Sequence, residues 1–133
     1  MGTAVGAFAL QRHGLVSWFL GVQFQTTKTA ARNRTQVGQV FLFYLPDIDA
    51  DDGYIERVVK TAHGPMRIPT KERALVDYMR HLDVFELSYF VDGLHNYLEE
   101  GSSDKLLDVA GQYGVRDEMQ KWVDKDAGYT RLG

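Results

Sequence analysis

The chain of 133 residues is 44% hydrophobic and 25% charged, a balance that excludes a disordered or fibrous polymer and fits one globular domain with a single core. It has no cysteine, which excludes a disulfide framework, a thiolate zinc site and a thiol nucleophile, and which fits a reducing compartment, so the cytoplasm is expected. The net charge of −3 conceals a split: residues 1–46 hold Arg12, Lys28, Arg32 and Arg34 and no acid, whereas the remainder holds 11 basic against 18 acidic residues, a net of −7.

The apolar run at the start has no basic residue ahead of it and stops at Arg12 and His13, so neither secretion nor insertion is expected. No stretch reaches the roughly 20 apolar residues that a membrane span requires. Residues 3–13 predict a short helix, with Val5, Phe8 and Ala9 at helical spacing and Gly14 after them as a C-cap. Over 18–25 the period changes to two, with Trp18, Leu20, Val22 and Phe24 on one face of a predicted strand. Residues 26–35, polar and basic, read as an exposed loop. The β-rich run over 39–45 predicts a second strand, stopped by Pro46. An acidic turn over 47–53 precedes a strand over 54–61, and Gly64-Pro65 separates that strand from a short extended piece at 66–68.

The second half predicts helices. Thr70 caps one whose Leu75, Tyr78, Met79 and Leu82 share a face. Leu87, Phe90, Val91, Leu94 and Leu98 mark the next, which Gly101 ends. Leu106, Leu107, Ala110 and Tyr113 form the stripe of a third, capped by Ser102 or Ser103 and closed by Gly114. Val115, Met119, Trp122 and Val123 belong to a fourth, and core packing is the expected fate of Trp122. The expected fold class is α+β: a short N-terminal helix, a small antiparallel sheet, then a C-terminal cluster of three to four helices.

Catalytic and metal signatures are sparse. His13, His63, His81 and His95 lie at least 14 residues apart, without the spacing of a metal site, and each reads as a surface or packing histidine. In the cluster of Asp47, Asp49, Asp51 and Asp52, Gly53 falls one place late for a calcium loop and the twelfth position is Val58. Phosphate-binding and nucleophile-elbow motifs are missing from the sequence. Glu56 and Lys60 are the nearest approach to a metal-dependent nuclease pair. The expectation is therefore no enzyme, no metal and no cofactor. Lys28, Arg32 and Arg34, set among Thr and Asn, are the candidate binding residues, with chemistry suited to phosphates or to the acidic surface of a protein.

Four segments, taken in order, resemble the C-terminal domain of the AbiEi family of antitoxins. Gly6-Ala7-Phe8-Ala9-Leu10-Gln11-Arg12-His13-Gly14-Leu15 is similar to that family's helix end, and Thr26-Thr27-Lys28 with the arginines after it to its basic loop. Ile68-Pro69-Thr70-Lys71-Glu72-Arg73-Ala74-Leu75-Val76-Asp77-Tyr78 resembles its "VATxERALxD" segment, and 104–114 its "xxKLLxYAxxYG" helix. The resemblance spans about residues 5–125 and treats 1–133 as one domain. It implies a type IV toxin-antitoxin system of phage-defence loci, in which the domain neutralises a nucleotidyltransferase-like toxin without a stable complex. The family's N-terminal winged helix-turn-helix, which represses its operon, needs more than residues 1–13, so DNA binding by that route is not expected of this chain. A nucleic-acid-binding accessory or regulatory protein using the same basic loop is the alternative.

Overall fold

The structure, a computed structural model, describes residues 2–17, 22–26, 34–37, 40–44, 53–61 and 64–132. Its elements are β1 (Gly2–Ala4), α1 (Gly6–Arg12), β2 (Val22–Thr26), β3 (Arg34–Val37), β4 (Val40–Tyr44), β5 (Ile55–Thr61), β6 (Gly64–Pro69), α2 (Lys71–Arg80), α3 (Leu87–Glu99), α4 (Asp104–Gln112) and α5 (Arg116–Leu132). The α+β class stands, and the C-terminal cluster has four helices. Among the described residues the sheet is larger than expected, with six strands in the order β3-β4-β2-β1-β6-β5.

Direction is where the sheet departs from an antiparallel one. β1 pairs antiparallel with β2 but parallel with β6, and β2 pairs parallel with β4. The parallel pairing of β2 and β4 follows from chain order: β3 and β4 form an antiparallel hairpin, and the second arm of that hairpin is the one laid beside β2. Thr3 faces Gln25 on one side and Arg67 on the other, so a three-residue strand joins the two halves of the sheet. Each half is an antiparallel hairpin plus a neighbour, and β5 pairs with β6 from Ile55 opposite Pro69 to Thr61 opposite Gly64, with an irregularity between Ile55 and Arg57.

Helix α1 lies between the sheet and the bundle, touching β2 and β6 on one side and α2 and α3 on the other. Its small buried residues, Gly6, Ala7 and Ala9, permit that close approach, and Leu10 is fully buried. Gly93 of α3 serves the same purpose, since a Cβ there would stand 2.9 Å from Leu10 Cδ1. Thr70 caps α2 by accepting a hydrogen bond from the Arg73 amide at 3.2 Å, and its own amide donates to the Tyr54 carbonyl at 2.8 Å, tying β6 to the start of the helix. The core is contiguous from Ala4 and Val5 through Met66 and Ile68 to Leu75, Tyr78, Phe90, Leu106 and Met119. No helix among the described residues is long and apolar enough to cross a membrane.

Candidate functional site

Of the expected binding residues, Lys28 and Arg32 lie outside the described residues, as do Asp47 to Asp52 and His63. Arg34 opens β3 opposite Phe43, on a strand at the edge of the sheet. Glu56 and Lys60 share β5, but Glu56 is engaged elsewhere: its carboxylate is 3.6 Å from His13 Nδ1. His13 Nε2 lies 2.7 Å from the Pro69 carbonyl, which only accepts, so that nitrogen carries a hydrogen. His13 thus ties the end of α1 to β5 and to the β6–α2 junction. Among the described residues no group of three or more His, Asp or Glu side chains is arranged to hold a metal ion.

The motif that the sequence offers most plainly, Glu72 to Asp77, turns inward. Arg73 and Asp77 are 0% and 1% exposed, with Arg73 Nε 3.2 Å from Asp77 Oδ2 one helical turn away. Two opposite charges at that separation, removed from water, hold each other in place. Glu72, also buried, accepts a hydrogen bond from Tyr97 OH at 2.9 Å and approaches Lys105 Nζ at 3.9 Å. Lys71 lies over the Tyr97 ring and pairs with Glu100 at 3.6 Å. One turn of α2 is in this way bound to α3 and α4 through its charged side chains. Burial, and then the hydrogen bond to Glu72, push the Tyr97 phenol well above its ordinary value. Tyr78, whose hydroxyl donates to the Glu86 carbonyl, is raised likewise, first by burial and then by the charge of Glu86.

A concave feature with polar groups in its lining lies elsewhere, between α3 and α5. A groove of about 580 Å³ is lined by Tyr89, Val91, Leu94, Trp122, His95 and Asp126, with Val16, Ser17, Asp92, Asn96 and Lys125 around them. Trp122 meets Phe90 edge-on with ring centroids 5.3 Å apart, which fixes the indole in the wall. Asn96 Nδ2 donates to the Leu15 carbonyl at 2.7 Å and anchors the chain after α1 to the rim. His95 sits between carboxylates, Nδ1 3.0 Å from Asp126 Oδ1 and Nε2 3.2 Å from Glu99 Oε1. Each ring nitrogen of His95 thus faces a carboxylate, one from α5 and one from its own helix.

Sequence reading missed this groove because its parts are scattered. His95 and Asp126 are 31 residues apart on two helices, and neither position stands in a motif. Trp122, expected in the core, is half-buried: it packs against Phe90 and also lines the groove. No model of a known protein family matches the chain, and no curated protein matches it.

Proposed function

We propose that the chain is a non-enzymatic, antitoxin-like regulatory domain of the cytoplasm that counteracts a nucleotidyltransferase-like toxin through a surface including Lys28, Arg32 and Arg34. The observation that supports this reading best is the fate of the strongest motif of the resemblance. Thr70, Glu72, Arg73 and Asp77 are consumed in a helix cap and a buried charge network, as residues that hold a scaffold rather than turn over a substrate. The acid-free first 46 residues then supply a basic surface for recognition.

Co-expression in bacteria with the nucleotidyltransferase-like protein encoded beside this chain tests the proposal by colony counts. Growth is expected to recover when the chain is present, and to be lost again when Lys28, Arg32 and Arg34 are all replaced by Glu. Rescue that survives the triple reversal would remove those residues from the surface. No rescue by the folded wild-type chain would overturn the antitoxin reading. The same acid-free segment favours nucleic acid as the second partner, and binding of DNA or RNA that weakens steeply with salt would mark that outcome.

A further inference from the structure

The face of α3 beside α5 breaks the pattern of the rest of the bundle. Leu87, Val91, His95 and Glu99 follow at four-residue steps and so form one ridge of the helix. Periodicity assigns the first two to the core, yet Leu87 is 48% and Val91 44% exposed, among the few large apolar side chains left in water. The chain passes from Arg80 to Lys105 without a single Lys or Arg, while it carries Asp83, Glu86, Asp92, Glu99, Glu100 and Asp104. The groove therefore joins an aliphatic and aromatic wall to the carboxylates of Asp92 and Asp126, with Lys125 also in its lining.

It also shows which guest it favours. Lys125, exposed to solvent, lays its Nζ 4.6 Å from the centre of the Trp122 ring, so the indole face is already used to bind a cation. An ammonium placed there is a point charge and leaves the flat indole incompletely covered. A guanidinium stacks on the same face and its planar fork of N–H groups reaches carboxylates at the side, here Asp92 and Asp126 of the lining. The aliphatic stem of an arginine then lies along Val91 and Leu94. The geometry points to a docking site: the α3–α5 groove receives an arginine side chain on a basic segment of a protein partner, which displaces Lys125 from Trp122. Charge complementarity commits the site to a basic polypeptide rather than a nucleic acid, whose phosphates would meet the carboxylates of Asp92 and Asp126. The inference does not depend on that partner being a toxin.

The test uses the full chain with Trp18→Phe, which leaves Trp122 as the one remaining tryptophan, and follows its fluorescence. Two peptides are titrated, identical but for a central arginine or its neutral isostere citrulline between leucine and lysine neighbours. The arginine peptide is expected to perturb Trp122 and to bind about tenfold tighter than the citrulline peptide, with Asp92→Asn removing about tenfold in affinity. Lys125→Ala, which deletes the internal competitor, is expected to tighten binding. Equal affinity for the two peptides, an unperturbed Trp122, or weaker binding by Lys125→Ala would overturn the proposal. Sedimentation of the chain alone supplies a separate check, since a dimer that the arginine peptide dissolves would make the occupant a second copy of this chain and overturn the assignment to a foreign partner.

Discussion

Thr70 Oγ1 satisfies the Arg73 amide, and the side chain of Arg73 itself runs into the protein to meet Asp77. Two kinds of cost follow from removing these groups. Thr70→Ala exposes one unpaired helix amide and is expected to lower stability by about 1 kcal/mol in urea titration. Arg73→Met leaves the Asp77 carboxylate buried without its cation, and is expected to cost about 3–5 kcal/mol, most of it recovered in the double variant Arg73→Met/Asp77→Leu. A double variant as unstable as the single one would mean that the pair itself, rather than the stranded charge, carries the stability. The sequence disclosed Thr70 as a cap because capping is local. It did not disclose that Glu72, Arg73 and Asp77 are interior, because an E-R-x-x-x-D run reads equally well as a solvated helix face until the neighbours that cover it are known.

At the scale of elements, local periodicity placed α2, α3, α4, β4 and β5 to within a few residues, and the start of α5, whose apolar stripe ends at Val123 although the helix runs to Leu132. It failed at β1 and β3, and it set Gly64-Pro65 between strands although both open β6, opposite Thr61 and Lys60. Gly2-Thr3-Ala4 is too short to show a period, and the reading over 3–13 absorbed it into a helix that begins at Gly6. Arg34–Val37 is polar and reads as loop, yet its backbone pairs residue by residue with β4. β1 is specified by partners distant in the chain and β3 by the hairpin it forms with β4, and in both ladder pairing overrides local preference. Thr3→Pro removes a ladder donor from the strand that joins the halves of the sheet, and a loss of about 3 kcal/mol or more is expected in thermal melts. Gly93→Ala drives a methyl to within 2.9 Å of Leu10 Cδ1, where α1 and α3 cross. That substitution should destabilise by about 1 kcal/mol although alanine is the better helix former, because the fully buried Leu10 must shift to admit the methyl.

For the molecule as a whole, the two buried phenols set a limit at high pH. Tyr78 and Tyr97 both hold their protons more tightly when folded than the ordinary value of 10.0 allows. Above that value the unfolded chain loses protons that the folded chain keeps, so stability falls as pH rises. The expected slope is about 1.4 kcal/mol per pH unit for each tyrosine, seen as a falling melting temperature on the alkaline side, and Tyr97→Phe should remove one of the two contributions. Amino-acid order alone determined the fold class, the Thr70 cap, most of the core stripes and the division of charge between the first third and the rest, since each of these arises within one or two turns of chain. Only the tertiary structure decided the direction of the strands, the burial of the Arg73–Asp77 pair and the groove at His95 and Trp122. Those depend on which distant segments meet, and a helix sequence fixes which residues share a face but not which of its faces another helix will cover.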